Sequence, residues 1–410
     1  MNGNPQRLSL GLVGILLLIT ASGSGPGEHD KRDPALRDDP TKPFRTAIKG
    51  KVIAECRGHS GSVTGVAVSP DGKLAVSANW DQGLCFWSVP DGKLIRTIHA
   101  VKPRSDSGCT GPPYFSPNGK TVAALIRTPD EKSVKLCFWD AATGKELPRS
   151  VPLDRGGMWA LSPDGERVAR ATDNSEGMVD FVRVWDTRKG KIVNEFRFRK
   201  EERVSPAAFS FSPDGKLLAV GMDDRGLEGG SLGRARQSVS SKVRIWELRT
   251  GKLVFASETL PLTREARWGK GPDGRLESVP EKQPYEAVAV AFSPDGTRLA
   301  AGGTDYDRGH AIWVWDLATR KLVQKLPVGD PFVSSLAFSP DGHMLACGTG
   351  PSLERRDPDI QIWNVTSAQL LGSLQKHTGT VTTVAWGKNG RTLVSCGQDR
   401  RVLIWRLEPR

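Results

Sequence analysis

The amino-acid sequence predicts an all-β fold, a seven-bladed β-propeller built from four-stranded antiparallel blades. Three observations lead to this prediction. A tight-turn motif recurs along the chain, a tryptophan ends a strand downstream of each copy, and the composition is rich in turn-forming residues. The 410 residues include 45 Gly, 28 Pro and 12 Trp, and 38% are hydrophobic, which is typical of many short strands joined by turns.

The recurring motif, of the Ser-Pro-Asp-Gly type, predicts the hairpin between the first and second strands of each repeat. Proline presets one backbone angle of such a turn and glycine accepts a positive φ, so the chemistry of the motif itself favours a tight hairpin. Alternating apolar residues precede the turns, and a second short strand follows them. The seven copies, the last of them degenerate, lie at Ser69–Gly72, Ser116–Gly119, Ser162–Gly165, Ser212–Gly215, Ser293–Gly296, Ser339–Gly342 and Gly387–Gly390.

A third strand that ends in tryptophan follows each of these turns. Most of the tryptophans are followed by an acidic or amide residue, a second turn and a fourth strand. Repeats of about 45 residues with four strands each predict blades that bury their faces by packing radially against one another. The seven tryptophans are Trp87, Trp139, Trp185, Trp246, Trp315, Trp363 and Trp405.

The two ends of the repeat region predict how the ring closes. The seventh repeat ends with its third strand, whereas Gly50–His59 has the pattern of a fourth strand with no third strand before it. Pairing this N-terminal strand with the last blade leaves no open sheet edge. We therefore expect the N-terminal strand to complete blade 7 in a propeller that spans residues 49–410.

These turns and tryptophans resemble those of the WD-repeat (tryptophan-aspartate repeat) β-propeller family over about Lys49–Leu407, and the chain looks like an exported bacterial-type member. In that family, a buried chain of hydrogen bonds joins Asp, His, Ser and Trp within a blade. Blades 2 to 6 lack the Gly-His pair and often the serine, so we expect apolar packing to hold them. The members that the resemblance implies are His59, Ser77, Asp81 and Trp87 in blade 1, and His377, Ser395, Asp399 and Trp405 in blade 7.

The first 23 residues predict an export signal. A polar start with one positive charge precedes a mostly apolar run at 8–19 and small residues at 20–23, which is the layout of a secretory signal. The run is shorter than the roughly 20 residues of a transmembrane helix, so we expect cleavage, with an uncleaved anchor as the alternative. Residues 24–48 are expected to form a disordered linker. The mature protein is then expected in the periplasm, in the cell envelope or secreted.

The net charge and its distribution narrow the classes of partner. A formal net charge of +12 allows attraction to acidic partners. The basic residues are mostly single Lys or Arg in turns, so nucleic-acid binding is not favoured.

Cys85 and Cys137 occupy matching strands, as do Cys347 and Cys396, and matching positions of neighbouring blades are too far apart to bridge. We therefore expect small buried side chains and not disulfides.

In a WD-repeat propeller, the loops between blades and those joining the second and third strands lie on one face, which we call the loop face. This sequence places its insertions there, at 222–241 and 257–283, with smaller extensions at 305–310 and 350–358. Long loops are often functional, although a solvated insertion without a role fits equally well. We expect the contact surface on this face around blades 4 to 6. Trp, Tyr and Arg dominate binding energy at interfaces, so the candidate partner-binding residues are Arg225, Arg234, Arg236, Trp268, Tyr306, Arg355 and Arg356.

Motifs for catalysis or metal binding are not recognisable. Gly58–Gly61 lacks the Gly-x-Ser-x-Gly spacing of a nucleophile elbow, and no zinc spacing occurs. Asp305–His310 could hold a hard cation, but it does not continue as a calcium loop. We therefore expect a monomeric, non-catalytic protein-binding scaffold without a cofactor. The alternative is an exported propeller enzyme, or a small-ligand or metal sensor that uses the mouth of the central channel.

Overall fold

The computed structural model contains strands arranged around a ring. Within the described residues these strands form seven four-stranded antiparallel sheets and one two-stranded hairpin, with no helix. The prediction of an all-β, seven-bladed propeller is therefore confirmed. The described residues are 47–79, 83–98, 111–127, 134–154, 156–173, 179–198, 204–224, 242–257, 268–270, 276–278, 289–305, 309–351 and 358–409.

Blades 1 to 4 follow one another along the chain, and each runs in order from its first strand to its fourth. After the N-terminal strand β1 (Ile48–Cys56), their strands are β2 (Val63–Val68), β3 (Leu74–Asn79), β4 (Gly83–Ser88), β5 (Leu94–Ile98), β6 (Tyr114–Phe115), β7 (Thr121–Arg127), β8 (Val134–Asp140), β9 (Glu146–Leu153), β10 (Trp159–Leu161), β11 (Arg167–Asp173), β12 (Val179–Asp186), β13 (Lys191–Arg197), β14 (Val204–Phe211), β15 (Leu217–Asp224), β16 (Lys242–Glu247) and β17 (Leu253–Ala256).

A hairpin separates blade 4 from the remaining three blades. Its strands and those of blades 5 to 7 are β18 (Trp268–Lys270), β19 (Leu276–Ser278), β20 (Ala289–Phe292), β21 (Arg298–Asp305), β22 (Gly309–Asp316), β23 (Lys321–Gly329), β24 (Val333–Phe338), β25 (Met344–Thr349), β26 (Asp359–Asn364), β27 (Gln369–Gln375), β28 (Val381–Trp386), β29 (Thr392–Gly397) and β30 (Val402–Pro409). First strands of neighbouring blades contact one another, as β24 contacts β28 and β28 contacts β2, so they line the centre of the ring.

The N-terminal strand closes the ring as predicted. β1 lies antiparallel to β30, and the sheet of blade 7 runs in the order β1, β30, β29, β28. The pairing extends from Ile48 opposite Pro409 to Cys56 opposite Val402, with a bulge between Val52 and Ala54. β1 begins one residue before the predicted boundary at 49, because Ile48 is itself buried against blade 6.

The Ser-Pro-Asp-Gly turns share one set of side-chain contacts. In the first turn, Ser69 Oγ donates to Asp71 Oδ1 at 2.5 Å and accepts the Leu74 N–H at 2.9 Å. Asp71 Oδ1 also accepts the Lys73 N–H at 3.0 Å, and Gly72 adopts φ 73°. The hydrogen bond from Ser69 holds the pKa of Asp71 below its ordinary value. Each such turn fixes the register between the first two strands of its blade.

The hydrophobic core lies between blades. One cluster joins Val394 and Ile404 of blade 7 to Val66 and Trp87 of blade 1, and the other clusters likewise draw on neighbouring blades. Trp87 is 1% exposed. Burying side chains of this size contributes about 1.5–3 kcal/mol each, so no blade is stable without its neighbours.

Strand pairing in blade 4 reaches further into the predicted insertions than expected. β15 continues to Asp224, and Met222, which we assigned to the insertion at 222–241, is a buried core residue. Ser257, assigned to the insertion at 257–283, still pairs with β16, because its N–H donates to the Val243 carbonyl at 2.8 Å. Met222 and Ser257 therefore both retain partners in the sheet of blade 4.

The extension expected at 305–310 is also shorter than expected. Asp305 ends β21 and lies opposite Gly309, the first residue of β22. His310, which we expected in a loop, is therefore a buried strand residue. Gly309, the first residue of β22, adopts φ 96°, a backbone conformation that glycine tolerates.

Candidate protein-interaction face

Most of the candidate partner-binding residues lie outside the described residues. Trp268 is the exception, because it begins β18 and lies opposite Ser278 of β19. The insertion between blades 4 and 5 therefore contains a hairpin that we did not predict. The sequence Gly271–Gly274 repeats the Pro-Asp-Gly turn pattern between these two strands and was the signal for it. The candidates outside the description are Arg225, Arg234, Arg236, Tyr306, Arg355 and Arg356.

Blade 7 contains a continuous chain of four hydrogen-bonded side chains. Trp405 Nε1 donates to Ser395 Oγ at 2.8 Å, and the same oxygen lies 2.8 Å from His377 Nε2. His377 Nδ1 lies 2.8 Å from Asp399 Oδ2. A carboxylate only accepts, so Nδ1 carries the proton and Nε2 accepts from the serine hydroxyl. Each polar group in this dry site thus has a partner.

The chain in blade 7 also fixes two loops of the loop face. Burial acts to raise the pKa of Asp399, but hydrogen bonding from His377 and from backbone N–H groups holds it below its ordinary value. Those backbone donors are Thr378, which precedes β28, and Arg401, which precedes β30, at 3.1 and 3.2 Å. One buried carboxylate therefore joins the loop that enters blade 7 to the loop between its second and third strands.

Blade 1 contains the corresponding contacts for three of the four residues. Trp87 Nε1 donates to Ser77 Oγ at 2.7 Å, and Ser77 Oγ lies 2.6 Å from His59 Nε2. His59 Nδ1 lies 3.8 Å from Cys85 Sγ. Asp81, the fourth member implied by the resemblance, lies outside the described residues. The structure thus brings His59, Ser77 and Trp87 together in blade 1, next to the strand that closes the ring.

Blade 6 has a different polar network, which the sequence analysis missed. Asp359 is buried, and its two carboxylate oxygens accept hydrogen bonds from Thr349 Oγ1 at 2.9 Å and Ser373 Oγ at 2.5 Å. Gln361 takes over the role of the missing serine, since its Oε1 accepts the indole N–H of Trp363 at 3.2 Å. We expected apolar packing to contribute more in blades 2 to 6. Blade 6 nevertheless contains this buried polar network in addition to its apolar contacts.

Three hydroxyl groups connect the first strands of blades 6, 7 and 1 to the blade that follows. Ser334 Oγ donates to the Val381 carbonyl at 2.5 Å, and Thr382 Oγ1 donates to the Val63 carbonyl at 2.7 Å. Thr64 Oγ1 lies 3.3 Å from the carbonyl of Gly111, which leads into blade 2. Each hydroxyl residue stands five positions before the tight turn of its blade. Aligning the repeats on their turns reveals this position.

The outer strands make equivalent contacts at the opposite face, which we call the turn face. A long polar side chain of a fourth strand donates to a backbone carbonyl in the next blade's turn after its third strand. Examples are Asn194 to Leu248 at 2.9 Å and Gln324 to Thr366 at 2.7 Å. These contacts connect neighbouring blades, so they give the ring a rigid frame behind the loop face.

The described residues offer little for chemistry on a ligand. Among them, no group of three or more His, Cys, Asp or Glu side chains could hold a metal ion. The five cysteines in this part of the chain are buried free thiols, and burial raises the pKa of Cys396 to about 12. Protonated, buried thiols of this kind fill space in the core. The described residues also form no helix that is long and apolar enough to span a membrane.

Comparison with known proteins identifies the repeat. Four segments match the model of the WD domain, G-beta repeat, at residues 50–88, 283–317, 320–364 and 368–406. Transducin beta-like protein 3 of Bos taurus is 30% identical over 256 residues, which cover 62% of this chain and 25% of that protein. Apoptotic protease-activating factor 1 of Rattus norvegicus is 24% identical over 371 residues, covering 84% of this chain and 26% of that protein.

The chain spans about a quarter of the length of these curated relatives. The matched segments at 320–364 and 368–406 each begin with the fourth strand of one blade and continue through three strands of the next. The repeat in the sequence is thus offset by one strand from the blade in the structure, as β1 and blade 7 also show. The structure is thus a seven-bladed β-propeller in which four segments match the WD repeat.

Proposed function

We propose that this propeller is a non-catalytic protein-binding scaffold that acts outside the cytoplasm and contacts its partners through the loop face around blades 4 to 6. A WD-repeat propeller generally serves as a platform for protein interactions. The finer proposal rests on one observation, the difference between the two faces of the ring. The turn face has closely similar short turns, whereas the loop face has extra chain between blades 4 and 5 that includes its own hairpin.

The framework of the ring suits a platform. Blade-to-blade hydrogen bonds and interblade apolar clusters hold the sheets in fixed positions, so loops on one face are presented without reorganisation of the ring. Binding surfaces that are already ordered lose less entropy when a partner docks. The histidines best placed for chemistry, His59 and His377, are buried in the hydrogen-bond chains. Their role in the fold supports a scaffold without catalysis.

Replacing residues 225–241 by a short glycine-containing turn tests the proposed contact surface. We expect partner capture from an envelope extract to be lost while the melting temperature stays near that of the parent, because β15 and β16 keep their pairing. Arg249→Glu changes an exposed residue of the turn face and serves as the control. Capture that persists without the insertion would refute the assignment to this face.

Export is tested separately from binding. A variant with two arginines in place of Leu16 and Leu17 should stay in the cytoplasmic fraction, because charge abolishes the apolar segment of the signal. The parent protein should appear in the envelope or the medium. Equal distribution of both proteins between the fractions would contradict an export role for residues 1–23.

A further inference from the structure

Four basic residues lie on adjacent loops of the loop face where β1 closes the ring. Arg57 follows β1, Lys376 follows β27, and Arg400 and Arg401 lie in the loop between β29 and β30. We call them the seam cluster. Arg57, Lys376 and Arg400 are exposed and Arg401 is partly exposed. The cluster therefore lies on the described part of the loop face, away from the insertions of blades 4 and 5.

The seam cluster already binds one carboxylate. Arg57 Nη2 lies 2.7 Å from Glu55 Oε1, and Arg401 Nε lies 3.4 Å from the same oxygen. Arg401 Nη1 reaches the Lys376 carbonyl at 3.5 Å, which places the third loop beside the pair. Two guanidinium groups share a single acidic side chain, so positive charge remains in excess at this surface.

The loops of the seam cluster are held in place from beneath. The carboxylate of Asp399, next to Arg400, accepts N–H groups from two of these loops. Ser62 Oγ reaches the Gln398 carbonyl at 3.4 Å and joins the third loop to them. These contacts hold the loops that carry the four basic residues in fixed positions.

We propose that the seam cluster docks an acidic, carboxylate-rich segment of a partner protein. Guanidinium groups match carboxylates in geometry as well as charge, and the contact with Glu55 shows that the cluster accepts this group. The four basic residues lie on three adjacent loops and do not form the extended stripe that tracks a nucleic-acid backbone. This inference rests on the proposed scaffold function and adds a second contact on the same face.

The test uses the whole propeller and a short fluorescent peptide of alternating Glu and Gly, with a Gln and Gly peptide as reference. We expect preferential binding of the acidic peptide that weakens as salt rises through about 0.15 M. The variant Arg57→Gln/Lys376→Gln/Arg400→Gly should bind about tenfold more weakly, with an unchanged melting temperature. Arg249→Glu, on the turn face, should bind as the parent does.

Equal affinity of the parent for the acidic and neutral peptides would overturn the proposal, as would equal affinity of the triple variant and the parent for the acidic peptide. Tighter binding of a single-stranded oligonucleotide than of the acidic peptide through the same three residues would also overturn it, because the site would then be a nucleic-acid site. If replacement of 225–241 abolishes peptide binding, the seam cluster is not a separate site. If that replacement abolishes partner capture but not peptide binding, the result bears on the proposed scaffold function and not on the seam cluster.

Discussion

The seam between blades 7 and 1 and the side of the ring at blade 4 are both built from four-stranded antiparallel blades but have different interiors. At the seam, Ser395 joins a histidine and a tryptophan, whereas Val220 occupies the matching position of blade 4. Thr382 donates across to the next blade, and Ala207 stands at the matching position of blade 4. Blade 4 is held by apolar side chains, and it has the long insertion on the loop face.

This difference has a physical explanation. In blade 4 the four strands are consecutive in the chain, and short turns set the register between β14 and β15 and between β16 and β17. In blade 7 the outer strand comes from the other end of the repeat region, and no turn links it to β30. The chain in blade 7 joins β29 and β30 to the loop before β28, and the chain in blade 1 joins His59, just after β1, to that blade. We infer that these contacts hold the segments on either side of the closing pair in place.

The largest expected effect follows removal of β1. Deleting residues 47–56 exposes the edge of β30 and the core around Trp405, so we expect stability to fall by more than about 5 kcal/mol. Thermal unfolding monitored by tryptophan fluorescence measures the loss. A synthetic peptide of residues 47–57 should restore part of the transition. An unchanged melting temperature in the deletion variant would show that β1 is not needed for closure.

A smaller loss is expected on breaking the chain in blade 7. Ser395→Ala leaves the Trp405 indole N–H and His377 without their shared partner in a buried site, which costs about 1–3 kcal/mol. Chemical denaturation of Ser395→Ala, Trp405→Phe and the double variant measures the coupling. The double variant should lose less than the sum of the two single losses. Strict additivity would contradict a connected chain.

The carboxylate of Asp399 predicts a pH dependence. Its pKa is lower in the fold than the ordinary value of 3.8, so its stabilising contribution is complete above about pH 4. That contribution disappears as the pH falls through the lower pKa of the folded state. The melting temperature of Asp399→Asn should therefore lie below that of the parent at pH 6, and the gap should narrow toward pH 3. Glu408→Gln controls for the change in net charge, and a constant gap for Asp399→Asn would rule out this linkage.

The smallest effect concerns the hydroxyl groups between blades. Thr382→Val keeps the shape of the side chain but removes its 2.7 Å hydrogen bond to the Val63 carbonyl, so we expect a loss of about 1 kcal/mol. Thr250→Val, whose hydroxyl meets Glu247 at the exposed turn face, should change stability much less. If the Thr382 variant is as stable as the parent, the hydroxyl groups between blades do not distinguish the seam from blade 4. Only the hydrogen-bond chains that contain Trp87 and Trp405 would then do so.

The features that could be predicted from the sequence are those marked by the same residue types in every repeat. The turns, the tryptophans and the pairing of β1 with blade 7 are of this kind. The network of Thr349, Asp359 and Ser373 could not be predicted, since its members come from three strands and form no motif. Our predicted start of the insertion at 222 was wrong, because Met222 pairs with Pro206 and Lys242 and the spacing of residues in the sequence does not reveal these partners. Among the candidate binding residues, Trp268 alone lies within the described residues, where its backbone forms part of β18.

Site-specific cross-linking tests the central claim most directly, namely that partners contact the loop face and not the turn face. Benzoylphenylalanine would replace Trp268 or Tyr306 on the loop face, and Thr143 or Thr250 on the turn face, in protein expressed in its native host. Irradiation followed by mass spectrometry identifies the adducts. We expect partner adducts from positions 268 and 306 and none above background from 143 and 250. Adducts that form from the turn-face positions alone would contradict it.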